Sequence, residues 1–166
     1  MADIKNSSLL QIDTGILYKD ACIVIVRTEW NAAIVDELEA GCKRVLQSNG
    51  VEKILSCTVP GAFELPFAVK KYWEIHKYTD DRPQAFVALG CVLRGGTPHF
   101  EYVCQGVTAG IAQVNLELPV PTIFGILTVD TQEQADERLG GAHGHKGEEA
   151  AISALKMITL INSFNK

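Results

Sequence analysis

Four short runs of branched apolar residues are separated by stretches in which apolar positions recur every three to four residues. The runs are "ACIVIV" (21–26), "EKILSCTV" (52–59), "QAFVALGCVL" (84–93) and "PTIFGILTV" (121–129). Their near-continuous apolarity predicts strands covered on both faces, as in a parallel sheet. Between them, Ile34, Val35, Leu38, Cys42 and Val45 form one stripe over 31–47, and Val103, Val107, Ile111, Val114 and Leu118 another over 100–118. Both stripes predict amphipathic helices, and residues 63–78 read as a further one. "TQEQ" (131–134) is a capping-box pattern that opens a short helix, with Gly140 and Gly141 as its stop. A last helix is expected over 147–162, packing through Ala150, Ala151, Ala154, Leu155, Ile158 and Ile161. Strands alternating with helices predict a doubly wound α/β sandwich, a four-stranded parallel sheet with helices on both faces. Residues 1–17 are polar and turn-prone and read as an N-terminal arm, leaving 18–166 as a single domain.

Composition narrows the partners. The 166 residues carry a net charge of -5 with scattered lysines and arginines, which argues against nucleic acid or an anionic membrane. Five cysteines without a C-x-x-C pair suit a reduced compartment rather than a disulfide scaffold or zinc site. The first residues show neither a signal-peptide core nor an arginine-rich transit pattern, and no apolar run spans a bilayer. A cytoplasmic protein that binds small molecules and its own kind is the expectation.

The unusual residues gather where the predicted strands end: "RTEWN" after the first, "PGAFELP" after the second, "RGGTPH" after the third and "TVDTQEQ" after the fourth. Ligands bind at that edge of open parallel sheets. In "RGGTPH", Thr97 has the side chain of an N-cap and Pro98 suits a first helical position. Gly95 and Gly96 admit a close backbone approach. With Arg94 and unpaired helix-start amides they make a phosphate cradle; the same stretch also reads as an ordinary strand-to-helix turn. His99 follows in the first turn, where a neutral imidazole beside a phosphate is a suitable general base; structural histidines are commoner. Glu64 is either a helix-end charge or an acceptor for hydroxyls, and Trp30 either a stacking platform for a flat heterocycle or a core-closing residue. Arg138 and Lys146 flank a glycine-rich loop, able to meet an anion or simply solvated. His143 and His145 lack a third ligand, so no metal is expected.

With those residues in place, the chain from about Asp20 onward resembles the lumazine synthase family of riboflavin biosynthesis. The likeness rests on ordered motifs: "WN" (30–31), "PGAFELP" (60–66), "GCVLRGGTPHFEYV" (90–103), "PTIFGILT" (121–128), "QADER" (134–138) and "HKGEEAA" (145–151). It implies a flavodoxin-like fold and a transferase that condenses 5-amino-6-(D-ribitylamino)uracil with 3,4-dihydroxy-2-butanone 4-phosphate, without a cofactor. By resemblance Trp30 stacks on the pyrimidine with Asn31 beside it. Ala62, Phe63 and Glu64 hold the ribityl chain, and Val92 and Leu93 line the ring pocket. Gly96 and Thr97 match the phosphate positions, helped by Arg138, and His99 the proton-transfer residue. Phe124, Arg138 and Lys146 are expected from a neighbouring subunit. Trp30 stands where phenylalanine is usual, and His145 where asparagine is.

The resemblance also implies a homo-oligomer. The family forms pentamers, and many members close twelve of them into an icosahedral shell. A short segment from Arg138 to Lys146 is like that of shell-forming members, so a 60-subunit capsid is expected, with riboflavin synthase as a candidate partner. The N-terminal arm is expected to add to a neighbouring subunit's sheet. A binder without turnover and a shell protein without activity are the rivals; a Rossmann dehydrogenase lacks its G-x-G-x-x-G after the first strand.

Overall fold

The computed structural model describes residues 18–164, so the expected N-terminal arm lies outside the described residues. Four strands, β1 (Cys22–Thr28), β2 (Lys53–Val59), β3 (Ala85–Leu93) and β4 (Thr122–Val129), pair in parallel in the order β2-β1-β3-β4. Five helices connect and cover them: α1 (Ala32–Ser48), α2 (Leu65–His76), α3 (His99–Glu117), α4 (Gln132–Asp136) and α5 (Lys146–Phe164). This is the predicted flavodoxin-like sandwich. Among the described residues no helix is long and apolar enough to cross a membrane.

Side chains alternate across a strand, and β1 supplies two cores at once. Ile23 and Ile25 pack with Leu38 and Cys42 of α1 and Ala151 and Leu155 of α5. Cys22, Val24 and Val26 pack with Leu65 and Val69 of α2 and Val107 and Ile111 of α3. The change of side follows from the strand order. The chain moves outward from β1 to β2, then back past β1 to β3 and on to β4, and right-handed crossovers put helices on opposite faces when direction reverses. The reversal leaves a switch point between β1 and β3, where such sheets bind ligands. β2, expected to be covered on both faces, is an edge strand and remains half-buried.

Several boundaries differ from the sequence expectation. The helix expected over 63–78 starts with a single 3-10 turn (Ala62–Glu64) and ends at His76. Thr131 does cap α4, accepting from the Gln134 amide, but Gln134 Oε1 reaches back to the Asp130 amide rather than that of Thr131. Gly140 and Gly141 do not stop that helix, which ends at Asp136. They form β5 (Leu139–Gly141), which turns antiparallel onto β6 (Gly144–His145). Gly140, with φ of 108°, suits the hairpin because only glycine adopts that conformation cheaply.

A buried carboxylate ties the first helix to the sheet. Glu39 of α1 accepts from Arg27 on β1 and Ser56 on β2, and pairs with Lys43 at 2.8 Å. Burial alone would raise its pKa, but Lys43, Ser56 and Arg27 together hold it below the usual range. A depressed carboxyl stabilises the fold above its ordinary pKa, and that contribution disappears as pH falls through the depressed value. Glu39→Gln is therefore expected to cost roughly 1–3 kcal/mol at neutral pH, and to lose less than the wild type on further acidification; urea unfolding at neutral and acid pH checks both.

Candidate active site

At the carboxyl ends of β1, β2 and β3 a cleft of about 640 Å³ opens at the switch point. It brings together eight residues singled out from the sequence: Trp30, Asn31, Ala62, Phe63, Glu64, Val92, Leu93 and His99. Trp30 follows β1, its amide donating to Pro60 O at 3.3 Å, and leaves its ring 73% exposed at the mouth. So exposed a side chain does not close the core, which removes that reading of Trp30. Asn31 adopts φ 59°, the one non-glycine residue with positive φ among those described. Asparagine tolerates this conformation, and its Nδ2 donates to Cys91 O at 2.9 Å, locking the end of β1 to that of β3.

In the same lining, Phe63 packs against α3, where a Cβ at Gly106 would overlap its ring. Glu64 ends the 3-10 turn, and its Oε2 would lie 3.0 Å from a Cβ at Gly61. The carboxylate thus folds over glycine and faces the cleft together with His99, the first residue of α3. Burial pushes the Cys91 thiol up to about 11, so this cysteine, although in the lining, is a poor nucleophile at neutral pH.

The loop beyond Leu93 differs from its sequence reading in two respects. Pro98, not Thr97, occupies the N-cap position of α3, and no side chain caps the helix. Proline's fixed φ of -63° starts the turn by itself. In the first turn the Glu101 amide donates to Pro98 O at 3.1 Å. Gly95 and Gly96 have no positive φ, and a Cβ at either would meet nothing within 4 Å. Arg94 sits outside the cleft lining. It is paired with Asp130 and Glu101 and stacks over Phe100 at 4.0 Å. Those hydrogen bonds raise its pKa and lower that of Glu101, so its charge is already matched and it braces the loop.

Phe124, Arg138 and Lys146 line a second cavity, of about 360 Å³, between β4 and α5. In one chain they do not share a wall with His99. Arg138 Nη1 donates to Gln134 O at 2.7 Å, while its buried Nε has no protein partner. Lys146 Nζ donates to both Glu149 oxygens at 2.8 and 2.7 Å. Glu149 and, in the first cleft, Tyr102 were missed in the sequence. The signal for Glu149 was its place three residues after Lys146, on the same helix face. His143 pairs with Glu137 at 3.5 Å and His145 with Glu37 at 3.3 Å. Among the described residues no group of three or more His, Cys, Asp or Glu is placed to hold a metal ion.

A parallel sheet with an aromatic, partly polar cleft at its switch point is the layout in which α/β proteins hold small molecules. Comparison narrows the class. A family model described as 6,7-dimethyl-8-ribityllumazine synthase matches residues 20–162. Relatives bearing that name include one from Porphyromonas gingivalis, 49% identical over 144 residues, covering 86% of each chain. Another, from Bacteroides fragilis, is 46% identical over 144 residues, 86% of this chain and 97% of the relative. A third, from Parabacteroides distasonis, is 47% identical over 138 residues, 82% of this chain and 83% of its own. The chain belongs to the 6,7-dimethyl-8-ribityllumazine synthase family.

The open space around Gly95 and Gly96 makes a prediction. Alanine at either position is expected to leave unfolding within about 0.5 kcal/mol of the wild type while weakening an anion held at the loop several-fold. Urea unfolding and inorganic phosphate titration of the same variants check the two halves.

Proposed function

We infer that the chain is a transferase that joins 5-amino-6-(D-ribitylamino)uracil to 3,4-dihydroxy-2-butanone 4-phosphate, forming 6,7-dimethyl-8-ribityllumazine and releasing phosphate and water. The observation that carries the site assignment is the convergence of Trp30, Glu64 and His99, from three separate strand ends, on one cleft. The exposed Trp30 face takes the pyrimidine ring, with Asn31 fixing its edge and Val92 and Leu93 forming the apolar floor. Ala62, Phe63 and Glu64 run beside the ribityl chain, whose hydroxyls donate to the Glu64 carboxylate. The uncapped start of α3, with Gly95, Gly96 and Thr97, receives the phosphate, while Arg94 holds the loop in shape.

The chemistry begins when the aromatic amine adds to the ketone. Loss of a first water gives an imine, elimination expels phosphate and leaves a carbonyl on the remaining chain, and the ribitylamino nitrogen attacks that carbonyl and closes the ring with loss of a second water. The amine is already nucleophilic, so the steps call for no redox or metal cofactor. Holding two substrates in register supplies up to about 7–11 kcal/mol. Proton transfer by His99 contributes on the order of 100-fold.

Phe124, Arg138 and Lys146 complete the site from a neighbouring subunit. Within one chain their cavity shares no lining residue with the cleft, and the buried Arg138 Nε has no protein partner, which supports this reading. A homopentamer, and a 60-subunit shell built from twelve of them, satisfies that requirement in the cytoplasm; riboflavin synthase, which would consume the product, is the partner that a hollow shell suits.

Lumazine fluorescence and phosphate release, followed together, test the division of labour. His99→Ala is expected to slow turnover roughly 10- to 100-fold, and Arg138→Ala roughly 1,000-fold through loss of charge stabilisation; equal, negligible effects would refute it. Mass measurement is expected to show assemblies far above the roughly 90 kDa of five 18.1 kDa chains, and a lone 90 kDa species would limit the assembly to the pentamer.

A further inference from the structure

The proposed reaction leaves the buried His145 without a task. His145 is 7% exposed, at the junction of β6 and α5, next to Lys146. We propose that His145 is a positioning residue that sets the two cations of the second cavity, Lys146 and Arg138. The role rests on the reading of that cavity as part of the reaction site.

The argument begins with its ring nitrogens. The Glu148 amide donates to Nδ1 at 3.4 Å, and Nε2 faces Glu37 Oε1 at 3.3 Å. An acceptor at Nδ1 and a donor at Nε2 together select the neutral tautomer protonated at Nε2. Glu148 is the third residue of α5, so the imidazole does what the side-chain oxygen of an N-cap serine or asparagine does. The same ring plugs a notch in α1, where a Cβ at Gly41 would overlap Cε1. Two residues further on, a Cβ at Gly147 would overlap Leu38 O. The helices therefore touch backbone to backbone at the start of α5, and Arg44 to Glu148 at 2.6 Å adds an outer tie.

The charged groups around the ring are Glu37 and Arg44 from α1 and Lys146, Glu148 and Glu149 from α5; His143 and Glu137 pair with each other in the hairpin segment. The Lys146 amide donates to Arg138 O at 2.9 Å. One backbone bond thus joins the two cations, and it begins at the residue that His145 anchors. Removing the imidazole takes no charge out of the cavity, yet frees both cations to shift.

The test compares His145→Ala with His145→Asn, which keeps a cap acceptor, at a temperature where melting shows both folded. His145→Ala is expected to raise KM for the butanone phosphate about tenfold while leaving KM for the pyrimidine amine within about twofold. The Glu148 amide is expected to exchange with solvent roughly fivefold faster, as for a lost cap. His145→Asn is expected to recover most of both losses. Unchanged KM values in folded His145→Ala, or no recovery in His145→Asn, would overturn the positioning role while leaving the reaction standing. Wild-type turnover that survives Lys146→Ala would instead overturn the reading of the cavity, and this role with it. Should His145→Ala fail to fold, His145→Asn decides alone: near-wild-type KM and Glu148 protection support the role, and a tenfold rise in KM refutes it.

Discussion

β1 pairs in parallel with β2 on one side and β3 on the other, its apolar residues buried on both faces. Parallel strands all point the same way, so every connection that returns to the bottom of the sheet must do so through a helix. With β1 in the interior and the chain reversing direction around it, the helices are forced onto opposite faces. The sheet's carboxyl edge is then parted between β1 and β3. The cleft is thus a consequence of strand order, and residues as far apart as Trp30, Glu64 and His99 meet in it because each follows a strand.

The same constraint explains the rigidity of the cleft walls. Asn31 accepts a left-handed backbone and joins β1 to the Cys91 carbonyl, while Phe63 is pressed into the hollow above Gly106. Strained or crowded geometry of this kind persists only where neighbouring structure over-determines it. Around the loop that follows, electrostatics are distributed unevenly. Arg94 and Lys146 are matched by carboxylates, whereas α3 has no side-chain cap and the buried Nε of Arg138 has no protein partner.

On the other side of the sheet, α1 and α5 approach closely through Gly41 and Gly147. Without side chains at those points, the helices carry the hairpin of β5 and β6 and the start of α5 as one block. The second cavity lies beside that block, lined by residues of β4, by Arg138 just before the hairpin and by Lys146, Glu149, Ala150 and Ser153 of α5.

Periodicity in the sequence determined the element types, because burial on both faces of a parallel strand and on one stripe of a helix demands patterns that nothing else satisfies. Strands β1 to β4, helices α1, α3 and α5, and the clustering of chemistry at strand ends were all legible from it. The motifs likewise carried the family resemblance. Tertiary structure decided the rest. Pro98 displaced Thr97 as cap because a fixed φ starts a helix without a side-chain bond. Gly140 and Gly141 joined a hairpin because their conformational freedom suits a turn as well as a helix stop. Arg94 was claimed by Asp130, 36 residues away, and His145 by Glu37, 108 away. Pairings across such separations depend on which strands lie side by side, and a periodic pattern carries the face of each element but not its neighbour.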